Sequence, residues 1–135
     1  MSYIHRAMED TFLRLTKDFP ALLLTGPRQV GKTTMLQKLA AEENIGREYV
    51  TLDDLTERQM AKNDPKMFLQ IHKPPVFIDE VQYAPELFTY IKIHVDQNRR
   101  AGDFWLTGSQ VFKLMDGLQE SLAGRVCLLH MAPLS

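Results

Sequence analysis

Short apolar runs alternate with amphipathic stretches along this chain, and this alternation predicts a parallel α/β sheet. The runs with the length and composition of strands are Ala21 to Gly26, Glu48 to Asp54, Pro74 to Val81, Asp103 to Ser109 and Arg125 to Met131. Three of them contain unbroken apolar segments (LLL, VFI and VCLL), which are typical of strands covered on both faces. We therefore expect a sheet with helices on both sides.

The stretches between the predicted strands carry helix signals. Near the N-terminus, apolar residues from Met8 to Phe19 recur at alternating four- and three-residue steps, which predicts an amphipathic helix. A later helix should have Pro85 in its first turn and should stop before Gly102. Aspartates mark three further helix starts: Asp54 with Glu57, Asp116 with Gln119, and Asp64 with Pro65.

Composition narrows the class of protein. The 135 residues are enough for one domain with a hydrophobic core, and a hydrophobic fraction of 44% is ordinary for a globular protein. With 16 basic and 17 acidic residues, the chain gives no electrostatic sign of binding to nucleic acid or to an anionic membrane. No apolar run approaches the ~20 residues that span a bilayer, and the first residues lack a signal peptide's apolar core, so we expect a cytoplasmic protein. The one cysteine, Cys127, excludes an internal disulfide and a cysteine-based metal cluster.

The segment GPRQVGKT, from Gly26 to Thr33, matches the phosphate-binding (Walker A) pattern G-x-x-x-x-G-K-[ST]. Its glycines let backbone N–H groups turn inward around phosphates without a Cβ clash, and the following helix directs its positive end at them. Lys32 should reach the β- and γ-phosphates, and the Thr33 hydroxyl should bind Mg²⁺. The alternative is a glycine turn followed by a helix-capping threonine. The residues expected to contact the nucleotide are Gly26, Pro27, Arg28, Gln29, Val30, Gly31, Lys32, Thr33 and Thr34.

An acidic pair at the end of another predicted strand fits the same chemistry. The apolar run VFI leads directly into Asp79 and Glu80, a Walker B arrangement. Asp79 should hold Mg²⁺ through water, because this ion keeps several of its waters when it binds to proteins. Glu80 should orient and deprotonate the attacking water. An acidic turn that merely follows a strand is the alternative.

Five residues have less specific signals. Thr107, Ser109 and Gln110 lie at the end of the fourth predicted strand, where they could sense the γ-phosphate or the attacking water; Ser109 could equally cap the next helix. Arg125 could complete the transition-state charge on a neighbouring subunit, or it could be an ordinary surface arginine. Asp53 is interpreted either as an acid near the metal or as a solvated side chain.

With these residues laid out, the chain resembles a AAA-type ATPase of the additional-strand, catalytic-glutamate division of P-loop NTPases. It resembles more narrowly a widespread prokaryotic family of AAA-like ATPases, whose members usually continue into a C-terminal domain of unknown function. The similar stretches between residues 19 and 135 are FPALLLTGPRQVGKTT, YVTLDD, DPKMFL, PVFIDEVQYAPELF, LTGSQ and ESLAGRV…PLS. The resemblance implies a five-stranded sheet ordered 5-1-4-3-2, with Ser109 near the first sensor position and Arg125 near the arginine-finger position.

These observations predict Mg²⁺-dependent binding and hydrolysis of ATP by a AAA-like core spanning residues 1–135. The choice of adenine follows from the resemblance and from the absence of the guanine-reading motif Asn-Lys-x-Asp. Because the chain ends directly after its last predicted strand, we expect a fragment of a longer protein. The resemblance implies that the missing parts are the helical lid and the C-terminal domain, and that the full-length form could be a homo-oligomer. One alternative is an ATP-sensing switch or interaction module with negligible turnover. Another is the ATPase module of a DNA-handling protein, which the near-neutral charge does not support.

Overall fold

Five parallel strands form one sheet in the order β2-β3-β4-β1-β5, which is the predicted order 5-1-4-3-2 viewed from the other edge. The computed structural model describes residues 3–109, 115 and 122–132. The strands are β1 (Ala21–Thr25), β2 (Glu48–Thr51), β3 (Val76–Asp79), β4 (Phe104–Gly108) and β5 (Val126–His130). Each of the five predicted strands is confirmed, and each is shorter than predicted.

The described helices are α1 (Tyr3–Leu15), α2 (Lys32–Glu43), α3 (Leu55–Asn63), α4 (Pro65–Ile71) and α5 (Leu87–Asn98). Short 3₁₀ turns at Arg28–Val30 and Val81–Tyr83 follow β1 and β3. Within the part of the chain that the structure describes, no helix has the length and apolar character needed to cross a membrane.

Two hydrophobic layers enclose the sheet, as the unbroken apolar strands predict. On one face, Leu22, Phe77 and Trp105 pack with apolar residues of α1 and α2. On the other face, Leu23 and Ile78 belong to the layer that includes residues of α3, α4 and α5. Burial of each such side chain contributes on the order of 1.5–3 kcal/mol, so the central strands are held firmly from both sides.

Parallel pairing brings the functional segments to one edge of the sheet. Thr25 of β1 lies opposite Gly108 of β4, and Thr51 of β2 lies opposite Asp79 of β3. The carboxyl ends of β1, β3 and β4 therefore lie side by side, and the loops that follow them share one region of space. This is the edge where ligands bind in open α/β sheets.

The boundaries of α5 differ from the prediction at both ends. The helix begins at Leu87, so the placement of Pro85 in its first turn is wrong; Pro85 lies in the turn that leads into the helix. The helix ends at Asn98, and Arg99 adopts a φ of +49° and donates its N–H to the Val95 carbonyl. Arg99, rather than Gly102, therefore ends the helix, because its own backbone takes the left-handed conformation that closes the last turn.

The other helix starts follow the aspartate signals where the structure describes them. Asp54 accepts hydrogen bonds from the N–H groups of Thr56 and Glu57, and Asp64 caps α4 with Pro65 as its first residue. The Glu57 carboxylate lies beside His72 and not at the Asp54 N–H, so only half of the predicted capping box forms. At the N-terminus, α1 ends at Leu15, before Phe19. The predicted capping box at 116–119 lies outside the described residues.

Candidate functional site

The segment from Gly26 to Thr33, which we call the phosphate loop, connects β1 to α2. Gly26 has a φ of +151°, and a Cβ atom there would lie 2.3 Å from the Met131 carbonyl oxygen. Any other residue at this position would therefore clash with that oxygen. Gly31 has a φ of +89° and directly precedes the first turn of α2. The glycines therefore occupy positions that side chains disfavour, and the helix N-terminus faces the loop.

Lys32 is almost fully buried within this loop. Its ammonium group donates to the carbonyl oxygens of Gly26 and Pro27, each at 2.7 Å. No carboxylate among the described residues forms a salt bridge with it, and burial lowers the pKa of its ammonium group. A buried cation without an anionic partner is costly, so the phosphate loop is suited to an anionic ligand.

The remaining residues predicted to contact the nucleotide lie in the same segment. Val30 is in the 3₁₀ turn and packs against the hydrophobic layer beneath α2, while Thr34 lies in the first turn of that helix. Gln29 belongs to the same 3₁₀ turn, but its side chain lies outside the described part of the molecule. The loop thus brings together the predicted residues at one strand-to-helix connection.

Asp79 occupies the end of β3, beside the first turn of α2. The Thr33 hydroxyl lies 3.1 and 3.0 Å from its two carboxylate oxygens, and the Tyr49 hydroxyl donates to Oδ2 at 2.9 Å. The Thr107 hydroxyl donates to Oδ1. Asp79 is only 4% exposed, and its carboxylate contacts hydroxyl groups. It forms no salt bridge with the described residues.

These oxygen atoms fit the coordination chemistry of Mg²⁺. The ion prefers hard oxygen ligands, and it commonly takes one or two carboxylates from the protein while keeping several waters. Among the described residues there is no group of three or more His, Cys, Asp or Glu side chains that could form an all-protein metal site. The Thr33 hydroxyl and the Asp79 carboxylate are therefore the groups suited to hold Mg²⁺ here.

Tyr49 is a site residue that sequence reasoning missed. It precedes Thr51 by two positions on β2, so its side chain lies on the same face as Asp79, the residue opposite Thr51. Burial and the charge of Asp79 raise the pKa of Tyr49 to about 12. The signal was available only once the register of β2 against β3 was known.

Glu80 follows Asp79 in an uncommon backbone conformation, with a φ of +60°. This left-handed geometry costs a non-glycine residue roughly 1–2 kcal/mol. Its N–H donates to the Thr107 hydroxyl at 3.0 Å, and that hydroxyl in turn contacts Asp79. Thr107, which the sequence marked as a candidate sensor, thus links the two acidic residues.

The two oxygens of the Glu80 carboxylate have different surroundings. Oε1 accepts hydrogen bonds from Gln82 Nε2 at 2.8 Å and from the Ser109 hydroxyl at 2.9 Å. Oε2 lies 3.9 Å from a guanidinium nitrogen of Arg28. Ser109 therefore contacts Glu80, and Gln82 is a second residue that sequence reasoning missed; Gln110, the third candidate sensor, lies outside the described residues.

Gln82 carries an unusual unpaired group. Its side chain is almost fully buried, and its amide oxygen has no hydrogen-bond partner among the described residues. A buried acceptor without a partner costs about 1–3 kcal/mol, so such a group commonly marks a missing water or ligand. This acceptor belongs to the same amide that holds Glu80 Oε1.

Asp53 and Arg28 connect the end of β2 to the phosphate loop. The Arg28 guanidinium donates to both carboxylate oxygens of Asp53, at 2.9 and 3.2 Å, and to the Tyr83 hydroxyl at 2.8 Å. Asp53 thus makes a contact that neither sequence interpretation includes, an acid near the metal or a solvated side chain, and its side chain stays 45% exposed. It is the partner of a phosphate-loop arginine.

Arg125 lies where the parallel strands begin, at the opposite end of the sheet from the phosphate loop. It precedes β5, whose first residue Val126 is opposite Ala21, so it is beside the start of β1 and not its end. Its guanidinium pairs with Asp96 at 2.6 and 3.3 Å, and this contact lowers the pKa of Asp96. Arg125 is thus remote from the phosphate loop of its own chain, and a role on a neighbouring subunit remains a prediction.

Comparison with known proteins gives the family. The sequence profile of a AAA domain family matches residues 18–135. Two proteins named as uncharacterized, one from Mycobacterium bovis and one from Mycobacterium tuberculosis, are each 34% identical to this chain over 116 residues. The match covers 86% of this chain and 26% of each relative, so the chain spans about a quarter of their length.

Two solved structures share the fold. The Walker-type ATPase PABY2304 of Pyrococcus abyssi superposes with a TM-score of 0.69 and 18% identity, over 97% of this chain and 54% of that one. A DNA replication initiation factor superposes with a TM-score of 0.60 and 17% identity, over 93% of this chain and 44% of the other. Together with the match over residues 18–135, the phosphate loop and the sheet order identify this chain as a AAA-like P-loop ATPase core, a member of the AAA domain family.

Proposed function

We propose that this domain binds ATP together with Mg²⁺ and hydrolyses it, with Glu80 as the general base. The observation that carries the proposal is the position of the Glu80 carboxylate, beside Asp79 and next to the phosphate loop. One of its oxygens is held by two neutral hydrogen-bond donors. The family match supports nucleotide binding by the same fold.

The phosphate loop supplies the binding energy for the nucleotide. Backbone N–H groups around the 3₁₀ turn and the N-terminus of α2 are suited to receive the phosphate oxygens. An anionic phosphate would also give Lys32 the charge partner that it lacks among the described residues. The backbone N–H groups and the Lys32 charge both favour a triphosphate over a neutral ligand.

Thr33 and Asp79 would hold Mg²⁺, which supplies positive charge to the phosphate oxygens when it is bound. Tyr49 and Thr107 fix the direction of the Asp79 carboxylate through their hydroxyl groups. Such outer partners commonly set the affinity of a metal site.

Glu80 is arranged so that one oxygen remains available for proton transfer. Gln82 and Ser109 hold Oε1, so Oε2, which lies 3.9 Å from Arg28 and accepts no hydrogen bond among the described residues, is the oxygen available for a proton from the attacking water. The water oxygen bonds to the γ-phosphorus, the bond from that phosphorus to the bridging oxygen breaks, and ADP leaves with the bridging oxygen. The unpaired amide oxygen of Gln82 offers a further acceptor for a water beside this carboxylate.

The test is the Glu80→Gln variant of the full-length protein, with turnover and ATP affinity measured separately. Turnover should fall by about 10²- to 10⁴-fold, the usual contribution of a general base, while ATP affinity is retained. The matched control is Glu86→Gln, because Glu86 is exposed and pairs with Lys62 away from the loop. Equal turnover in Glu80→Gln and wild type would exclude Glu80 as the base. Negligible turnover already in the wild type, with ATP bound, would favour a nucleotide-operated switch.

A further inference from the structure

Arg28 lies within the phosphate loop but contacts two other segments of the chain, one after β2 and one after β3. It binds Asp53 after β2 and the Tyr83 hydroxyl after β3, and it approaches Glu80 Oε2 to 3.9 Å. These contacts hold the guanidinium beside the carboxylate that we propose as the base. They therefore place it on the side of the loop where the γ-phosphate must lie for Glu80 to act.

The partners that hold Arg28 are themselves ordered by neighbouring groups. The guanidinium of Arg58 stacks on the Tyr83 ring at 3.7 Å, and the Asp53 N–H donates to the Thr51 hydroxyl at 3.1 Å. Hydrogen bonds from Arg28 to Asp53 and Tyr83 raise the pKa of the guanidinium, which stays charged at any physiological pH. The arginine is thus a permanent cation in a defined position.

Two cations face the same space at this edge. Burial lowers the pKa of Lys32; the charges of Glu80 and Asp79 oppose this shift, and the charge of Arg28 adds to it. Within the part of the chain that the structure describes, Lys32 has no carboxylate in a salt bridge, whereas Arg28 pairs with Asp53. The side chains of both Arg28 and Asp53 are about half exposed, and exposed ion pairs of this kind are weak, typically ~0–1 kcal/mol.

A terminal phosphate is a stronger partner for this arginine than Asp53. It carries more charge than a carboxylate, and the planar guanidinium can bind two of its oxygens at once. We propose that Arg28 leaves Asp53 for the γ-phosphate when ATP binds, and that it thereby discriminates ATP from ADP. Asp53 competes with the γ-phosphate for the guanidinium, and with ADP the Arg28–Asp53 pair persists. This inference rests on the proposed binding of ATP at the phosphate loop.

The test is a comparison of two affinities in the full-length protein with Mg²⁺, for ADP and for the non-hydrolysable analogue AMP-PNP, by titration calorimetry. Arg28→Ala should weaken AMP-PNP binding about 10- to 100-fold and leave ADP binding within about 3-fold. Asp53→Asn should act in the opposite direction and strengthen AMP-PNP binding about 2- to 5-fold, because it removes the competing charge.

Arg100→Ala is the matched control, since Arg100 is an exposed, ion-paired arginine at the other edge of the sheet, and it should change neither affinity. Thermal unfolding of each variant checks that the fold is retained. If Arg28→Ala weakens AMP-PNP and ADP binding equally, or changes neither affinity, the inference is overturned. The proposed function stands in both cases, because the wild type still binds nucleotide. Weaker AMP-PNP binding in Asp53→Asn overturns it as well. Failure of the wild type to bind either nucleotide overturns the proposed function and this inference together.

Discussion

The parallel strands begin at one edge of the sheet, which we call the amino edge, and end at the other, the carboxyl edge. Buried charges have different surroundings at these two edges. At the amino edge, Arg47 pairs with Glu43, donates to the Gly102 carbonyl and stacks on Trp105 at 3.8 Å. Asp103 at the same edge is shared by His94 and Arg100. Among the described residues of that edge, Arg47 and Asp103 each have an opposite charge beside them.

At the carboxyl edge, Lys32 and Asp79 lack such partners among the described residues, and buried Glu80 has only the Arg28 guanidinium at 3.9 Å. Lys32 contacts only carbonyl oxygens, Asp79 contacts only hydroxyl groups, and the amide oxygen of Gln82 contacts no polar group. The cation and the carboxylate belong to adjoining segments and yet form no ion pair with each other. The amino edge thus pairs its buried charges internally, whereas the carboxyl edge has the unpaired groups that the proposed binding of ATP with Mg²⁺ would satisfy.

The largest expected effect is at the amino edge. Replacing Arg47 by Met removes one member of a buried ion pair and leaves Glu43 without its partner. The free energy of unfolding should fall by about 3–5 kcal/mol. Chemical denaturation measures this change. Calorimetry on the folded Arg47→Met variant should find its affinity for ATP unchanged. A variant as stable as the wild type would show that the pairing at this edge is not what stabilises the fold.

The matching change at the carboxyl edge should behave in the reverse way. Lys32→Met keeps most of the length of the side chain and removes a buried cation that has no carboxylate partner among the described residues. Stability without nucleotide should be equal or higher, while affinity for ATP falls at least ~100-fold, or about 2.7 kcal/mol. The same two measurements apply. Loss of stability comparable to that of the Arg47 variant would mean that the two edges do not differ as described.

A smaller effect is expected from Tyr49, which acts on Asp79 through one hydroxyl group. Tyr49→Phe removes the 2.9 Å hydrogen bond and little else, because the ring can remain against Phe77. The Mg²⁺ concentration needed for half-maximal ATP binding should rise about 10-fold, the lower end of the range for outer partners of a metal site. Tyr90→Phe serves as the control, and an equal Mg²⁺ requirement in both variants would argue against a role for Tyr49.

The smallest effect on nucleotide affinity is expected for Arg125, which lies at the amino edge. Arg125→Ala should leave the ATP affinity of its own subunit unchanged and return the pKa of Asp96 toward its ordinary value. If Arg125 acts on a neighbouring subunit, mixing Arg125→Ala with Glu80→Gln protein should restore part of the turnover that each lacks alone. No recovery in a mixed assembly would leave Arg125 as a surface residue paired with Asp96.

The features of the fold and of the site that depend on local sequence pattern could be predicted from the sequence. The strands were readable because their apolar runs are unbroken, and the phosphate loop was readable because each of its residue types meets a local requirement. The link from Tyr49 to Asp79 depends on strand register, and the hold of Gln82 on Glu80 depends on the left-handed turn at Glu80. Neither feature leaves a periodic trace in the sequence.

The same limit explains the errors at the helix ends. Gly102 was expected to stop α5, but its positive φ is needed where the chain passes close to Thr16, whose hydroxyl oxygen would lie 2.8 Å from a Cβ atom. The helix had already ended at Arg99. Sequence pattern can indicate that a glycine is required, but the tertiary contact that requires it is visible only in the fold.

The most direct test of the account is a single-turnover measurement on the full-length protein, with Mg²⁺ and enzyme in excess over radiolabelled ATP. The account predicts that the bound ATP is converted to ADP and phosphate in wild-type protein, and that it stays bound and intact in Glu80→Gln. The contrary result is ATP that remains bound and unhydrolysed in both proteins. It would mean that the carboxyl edge receives the nucleotide without hydrolysing it.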